Sequence, residues 1–303
     1  MAARRVIHGD SGLPLPPAEL AARVGVPAGV DPLQFYLDEG RRLRTVIEGL
    51  LPDGWRWTDK RVLDFGCGAG RVLRHFATEA AHTQFAGCDI DAPSIDWASA
   101  HLSPPFRFLH NNLIPPLALG AESLDLIWAM SVFTHISDTW AEWLVELHRV
   151  LAPGGVLVAS FLGEGIWDAL IGSAYREDEV GMAVSHKWDG PAAWVFHSEW
   201  WLREHWGRGF DVQRVLRPPR ASGGQPQITH SYIALRKRDV ELTADVLKQI
   251  DPREHRELAG LQTSLELAYR DLDQVAGDRG QPAPRGVSVA GLRSVRRRLR
   301  GKR

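Results

Sequence analysis

Residues 61–76 read RVLDFGCGAGRVLRHF, and the glycines at 66, 68 and 70 limit what this chain can fold into more than any other feature. The run before them is apolar and of strand length, and the residues after them begin a helical pattern, so the glycines form a tight turn between a strand and a helix. Turns of this kind usually hold a nucleotide, because backbone without side chains lets a ligand approach the helix N-terminus. The spacing narrows the choice. The dinucleotide fingerprint G-x-G-x-x-G needs a small third residue for close helix–strand packing, and Arg71 stands at that position. A phosphate loop needs Lys-Ser or Lys-Thr after its glycines, and neither follows. What remains is D-x-G-x-G-x-G, with Asp64 two residues ahead of Gly66. A carboxylate beside the turn repels phosphate and attracts an ammonium group.

The surrounding chain repeats the alternation. Apolar runs of strand length occupy 61–65, 84–88, 106–110, 124–130 and 155–162, and helical patterns fall at 70–80, 93–102 and 138–150. Alternating strands and helices predict an α/β fold with a parallel sheet covered on both faces. Ser137 or Asp138 is placed to cap the third of these helices, and Pro153-Gly154-Gly155 to stop it. Residues 163–197 carry five glycines among scattered aromatics, an insertion too long for an ordinary loop and hence lid-like. Ser198 then caps a short helix. Runs at 210–216 and 228–236, joined by a loop containing two glycines, predict a hairpin and so an antiparallel element at one edge.

The flanks differ from this core. Residues 1–55 form a leader rich in Pro and Gly and then a helical preface, in which Leu33, Tyr36, Leu37, Leu43, Val46, Ile47 and Leu50 keep helical spacing with a break expected near Gly40. In the helical segment 239–275, Asp251, Pro252 and Glu254 make a helix start, and Leu258, Leu261, Leu265, Ala268 and Leu272 form a seam that packs on the domain or on a partner chain, a second copy included. Residues 276–303 are a basic tail whose last eleven residues hold seven Arg or Lys. Such a tail is a solvated extension, a peripheral contact with an anionic membrane, or a non-specific contact with nucleic acid. A net charge of -1 over 303 residues gives no reason to expect specific nucleic-acid binding. Two cysteines, Cys67 and Cys88, rule out a disulfide framework and suit a reducing cytoplasm, where both read as small buried fillers. No window of about 18 uncharged apolar residues exists, and no metal is expected.

VLDFGCGAGR resembles the first motif of the class I S-adenosylmethionine-dependent methyltransferases, and later segments keep the resemblance in order. FAGCDID places Asp89 at the end of the second strand, about 20 residues beyond the loop, where a carboxylate can accept both ribose hydroxyls. FLHNNLIPPL ends the third strand, and LDLIWAMSVFTHIS resembles the fourth-strand segment of a bacterial branch often found with glycan and natural-product assembly. The likeness spans residues 60–162, continues weakly to 236, and leaves 1–55 and 239–303 unexplained. It implies a Rossmann-like sheet of seven strands, mostly parallel with an antiparallel last strand, flanked by helices within a domain at 56–238 and followed by a C-terminal helix. The implied cofactor is S-adenosylmethionine. Its implied contacts are Asp64, Gly66, Gly68 and Gly70 at the amino-acid end, Asp89 at the ribose, Ile90 and Asn111 or Asn112 at the adenine, and Ala129, Met130 and Ser131 at the sulfonium.

His135 follows the fourth strand, where it serves either as general base or as a hydrogen-bonding partner of the cofactor or backbone. Tyr175 and His197 in the insertion either touch substrate or are ordinary loop residues. Trp140, Trp143, Trp200 and Trp201 fit helix burial. The expected function is methyl transfer to a small-molecule acceptor, with O-methylation of a sugar or natural product as the first reading. The alternatives are a catalytically silent cofactor-binding module that assembles through its C-terminal helix, and methylation of a macromolecule guided by the tail.

Overall fold

A short helix, α1 (Ala18–Ala21), precedes α2 (Pro32–Leu50), in which Asp31 accepts the Gln34 N–H at 2.8 Å and Pro32 opens the first turn. The computed structural model to which these helices belong describes residues 12–185, 193–218 and 230–278. The alternating region follows as β1 (Arg61–Phe65), β2 (Gln84–Asp89), α3 (Ala92–Leu102), β3 (Arg107–His110), β4 (Leu124–Ala129), α4 (Trp140–Val150) and β5 (Leu151–Phe161). The insertion contributes α5 (Glu164–Ile171), α6 (Glu177–Val180), β6 (Met182–Ser185) and β7 (Trp194–His197). Then come α7 (Glu199–His205), β8 (Phe210–Leu216), β9 (Ser231–Lys237), α8 (Ala244–Lys248) and α9 (His255–Asp278).

Seven strands join in the order β3-β2-β1-β4-β5-β9-β8. All pairings through β5 are parallel, and β9 runs antiparallel to both of its neighbours. Side chains of a strand point alternately to the two faces, so continuous apolar runs bury both. Val62, Leu126, Trp128 and Val158 pack on Leu43 and Ile47 of α2 and Ile95 and Ala98 of α3. Leu63, Phe65, Ile127 and Leu157 pack on Leu144 and Leu147 of α4 and Leu202 of α7. Trp140, Trp143, Trp200 and Trp201 are buried, as helix spacing predicts.

Four expectations need correction. First, α2 is unbroken at Gly40, because that glycine serves a close contact: a Cβ there would sit 2.3 Å from the backbone oxygen of Arg71. Second, the helix expected at 70–80 is two short 3-10 turns, Leu73–Phe76 and Glu79–Ala81. The Ala69 carbonyl, which an α-helix would use internally, accepts the Tyr36 hydroxyl at 2.7 Å, and the His75 carbonyl accepts from Arg44. Third, α4 begins behind Thr139 without a side-chain cap, and Pro153-Gly154-Gly155 falls inside β5, where pairing shifts from Leu124↔Leu151 to Leu126↔Val156 in a bulge. Fourth, of the two places expected for the leucine seam of α9, the domain is not the one it packs on: within the chain the seam is the outer face. Leu258, Leu261, Leu265 and Leu272 are 40–58% exposed, and the face that packs carries Gly260, Thr263, Ser264 and Leu267.

That inner face binds α9 to the insertion. Thr263 Oγ1 donates to the Glu179 carbonyl at 2.7 Å and Ser264 Oγ to the Met182 carbonyl at 2.9 Å. Leu267 completes a small core with Leu162, Ile166, Trp167, Val180, Ala183 and Phe196. A buried His205–Glu257 contact, Nε2 to Oε1 at 2.8 Å, ties α7 to α9. The insertion is therefore a structured unit with its own two-stranded sheet, β6 with β7. The glycine-containing loop before β9 and the basic tail from residue 279 lie outside the described residues. Among the described residues no helix is long and apolar enough to cross a membrane.

Candidate functional site

Strand order reverses between β1 and β4, and in open α/β sheets a ligand crevice forms at the carboxyl ends of the strands at that switch. The glycine turn lies there. The N–H groups of Gly66 and Cys67 both donate to the Cys88 carbonyl, at 2.8 and 3.0 Å, which ties the turn to β2. Gly66 has φ +81°, and a Cβ on it would meet Val132 Cγ2 at 2.3 Å, so the turn abuts the segment after β4. Gly68, at φ +52°, has nothing within 4 Å of the Cβ position: this side of the turn is open. A Cβ on Gly70 would strike Leu102 of α3 at 2.7 Å, so that glycine serves packing.

Asp89 is held in place by backbone. Gly68 N–H donates to its Oδ2 at 2.7 Å and Asp91 N–H to its Oδ1 at 2.8 Å, leaving further lone pairs on both oxygens. Asp64 is 1% exposed, and its Oδ2 has no hydrogen-bond partner. Burial pushes its carboxyl up to about 7, against the Trp128 indole and the Arg71 guanidinium, which favour the ionised form. Asn111 donates Nδ2 to the Asn112 carbonyl at 2.9 Å, and its buried Oδ1 is unpartnered, whereas Asn112 is exposed. Ile90 is 51% exposed, an apolar face beside Asp89. Leu113 and Ile114, which follow Asn112, are exposed as well; aliphatic residues in a proline-flanked loop have no periodicity to mark them.

Beyond β4, Ala129 and Met130 are buried, so only their backbone is available to a ligand. Ser131 has φ +61°, and its N–H donates to Ser160 Oγ of β5 at 2.7 Å. Its own Oγ lies 3.5 Å from Nε2 of His230. Sequence reasoning missed Ser160 and His230, since 99 residues separate Ser131 from His230 and no local pattern connects them. His135 Nδ1 is 3.0 Å from the Ala193 carbonyl. A carbonyl can only accept, so Nδ1 donates to it, and in the neutral imidazole the lone pair is then on Nε2.

Tyr175 lines a cavity of about 230 Å³ with Phe161 and Gly163 at the end of β5, Ser231 of β9, Glu177 and Arg217. Its hydroxyl donates to Glu177 Oε2 at 2.6 Å. The structure does not bring His197 there. That imidazole is fully buried against the rings of Trp201 and Trp206, at 5.3 and 5.9 Å, with neither nitrogen bonded. Burial pushes it down to about 3, so it is a neutral core residue.

Residues 62–155 match the family model described as a methyltransferase domain. That match makes the segment from β1 into β5 similar to a methyltransferase domain. The chain is 33% identical over 124 residues to a ubiquinone biosynthesis O-methyltransferase of Bradyrhizobium sp. (strain ORS 278), a match covering 38% of this chain and 46% of that one. It is 30% identical over 138 residues to a protein of the same name from Rhodopseudomonas palustris (strain TIE-1), covering 43% and 51%. The chain thus spans about half the length of the curated relatives it matches. A solved chain from Listeria monocytogenes, provisionally named an S-adenosylmethionine dependent methyltransferase, shares the fold at TM-score 0.51 and 16% identity, covering 66% of this chain and 99% of that one. The resemblance implies S-adenosylmethionine as the cofactor, and the site fits it. It offers an orphaned buried carboxylate oxygen on Asp64, an orphaned amide oxygen on Asn111 and open backbone at Gly68. Among the described residues no group of His, Cys, Asp or Glu is arranged to hold a metal.

Proposed function

We propose that this domain methylates a hydroxyl of a small molecule held in the cavity between β5, β9 and the insertion. The observation that carries this reading is the contact between Ser131 and His230: it links the segment after β4, which abuts the glycine turn at Gly66, to that cavity, because His230 directly precedes Ser231 in the cavity wall. At about 230 Å³ the cavity is below the usual range for drug-sized ligands, which favours a compact acceptor over a macromolecule. The names of the two curated relatives, both O-methyltransferases, support oxygen as the accepting atom.

S-adenosylmethionine supplies a methyl group on an electrophilic sulfonium. In this reading Asp64 takes the ammonium end, Asp89 the ribose hydroxyls, Ile90 a face of the base and Asn111, rather than the exposed Asn112, the adenine edge. Gly66, Gly68 and Gly70 shape the turn, and the backbone of Ala129, Met130 and Ser131 lines the sulfonium end. The protein's share is alignment of donor and acceptor and exclusion of water. His135 receives the hydroxyl proton on Nε2, which its bond to the Ala193 carbonyl leaves free. Tyr175, Glu177, Arg217 and Ser231 offer donors and acceptors for the acceptor's other hydroxyls. A reducing cytoplasm belongs to the same reading, supported by the free, buried thiols of Cys67 and Cys88.

Isotope-labelled methyl transfer into a panel of glycans and small hydroxylated metabolites, run beside calorimetric cofactor binding, tests this. Label on a hydroxyl oxygen of one acceptor class is expected, with His135→Ala lowering kcat by about 10²–10⁴-fold at unchanged cofactor affinity. Cofactor affinity with no transfer to any acceptor would instead favour a binding module.

A further inference from the structure

Of the eleven large apolar side chains that stand exposed among the described residues, four lie on α9: Leu258, Leu261, Leu265 and Leu272. A single exposed leucine is ordinary, but a row of them marks an interaction surface. With Ala268 they step by three, four, three and four residues, the spacing of a seam through which helices pair. The side of α9 that the domain holds is a different one: Thr263 and Ser264 bond to Glu179 and Met182, and Leu267 enters the core of the insertion. The seam is therefore presented on a helix already ordered by its own chain, and a partner is spared the cost of ordering it.

The residues beside the seam decide what covers it. Along one edge run His255, Gln262, Tyr269 and Asp273, separated by seven, seven and four residues and so stacked on one side of the helix. A carboxylate stands at one end of this edge, a histidine, which can donate to a carboxylate in either protonation form, stands at the other, and the middle is uncharged. A second α9 laid antiparallel is its complement. Each His255 then lies beside the partner's Asp273, while Leu261 packs with the partner's Leu272 and Leu265 with the partner's Ala268. A parallel copy would instead bring the two Asp273 carboxylates together. Antiparallel helices also place opposite ends of their dipoles side by side. An anionic lipid surface is the poorer match, because Asp273 and Glu266 border the same edge and repel it.

We propose that α9 is a homodimer interface, in which two copies of this chain pack antiparallel through Leu258, Leu261, Leu265 and Leu272 about a two-fold axis. The contact is isologous, the same patch on both copies, so assembly closes at two. A seam of about two heptads is short for a permanent dimer, and the equilibrium belongs in the micromolar range. Neither cofactor nor acceptor enters into this pairing, so it holds whichever acceptor the domain takes.

Sedimentation velocity on the full chain, from about 1 to about 100 µM, tests this. The wild type should shift from monomer to dimer with rising concentration. Leu261→Glu combined with Leu265→Glu, both on the exposed face, should weaken association at least tenfold with the far-ultraviolet circular dichroism unchanged. Orientation has its own readout, which also serves if the glutamates disturb the helix. Asp273→Arg alone and His255→Asp alone should each weaken the dimer, and the two together on one chain should restore it, as only an antiparallel pair allows. A wild type that stays monomeric at the highest concentration overturns the proposal, as does a dimer that survives the paired leucine replacement. If that monomer sediments with phosphatidylglycerol–phosphatidylcholine vesicles and the leucine variant does not, the face belongs to lipid instead. If the leucine variant of a monomeric chain is cut faster by trypsin within residues 279–303, the face is covered by the chain's own tail.

Discussion

At the scale of single residues, Asp64 carries a consequence for pH. Its carboxyl is pushed up to about 7 by burial, so below that value it is neutral and above it ionised. An ammonium ligand gains only from the ionised form, so S-adenosylmethionine affinity should rise with pH between 5 and 7, by up to about tenfold per unit. The rise should level off before the cofactor's α-amino group titrates, at about 8. Asp64→Asn should bind weakly with no such dependence, and calorimetry across that window checks both. A slope that persisted in Asp64→Asn would remove Asp64 from the ammonium site. Asp64 and Asp89 were legible because their chemistry sits at fixed offsets from the glycines. His230 was not legible at all, since what makes it notable is Ser131 arriving from another strand.

At the scale of elements, Gly40 sets two effects against each other. Alanine is the better helix former by about 1 kcal/mol, so Gly40→Ala would stabilise an isolated α2. In the protein its Cβ would lie 2.3 Å from a backbone oxygen, which cannot rotate aside, and overpacking of that kind costs about 1–3 kcal/mol. The clash is expected to win, lowering Tm. Thermal unfolding would show it, and a raised Tm would contradict the contact. The periodicity of α2 was readable, but a glycine that admits a neighbour and a glycine that ends a helix look alike in one dimension. Residues 70–80 misled for a related reason: the carbonyls of Ala69 and His75 are claimed by Tyr36 and Arg44, side chains more than thirty residues away. In α9 the leucine spacing was real, and the packed face was instead the one with small residues, which allow the Cα atoms of Gly260 and Gly181 to meet closely.

At the scale of the whole molecule, the insertion leans on the C-terminal helix. Leu267 of α9 is 4% exposed in the core that α5, α6 and the β6–β7 pair share. Leu267→Ala removes buried methyl groups and leaves a cavity, a change of about 2–5 kcal/mol. Because that core is separate from the two that sandwich the large sheet, loss of hydrogen-exchange protection is expected in β6, β7 and α9, with β1, β4 and β5 still protected. Uniform loss across all of them would show a single cooperative unit. The doubly covered parallel sheet was visible in the alternation of runs. The partnership of 163–197 with residues beyond 250 was not, because contacts between distant segments leave no periodic trace.

The reversed direction of β9 also orders events in time. A strand running with its neighbours would bring its last residues to the ligand edge; β9, running against them, brings its first, so that His230 and Ser231 arrive there together. On the ribosome the glycine turn and both of its carboxylates are synthesised long before these two residues. A nascent chain can thus assemble the nucleotide cradle early, but its acceptor wall stays open until β9 has emerged and threaded between β5 and β8. Methyl transfer, on the function proposed here, requires synthesis to have passed β9.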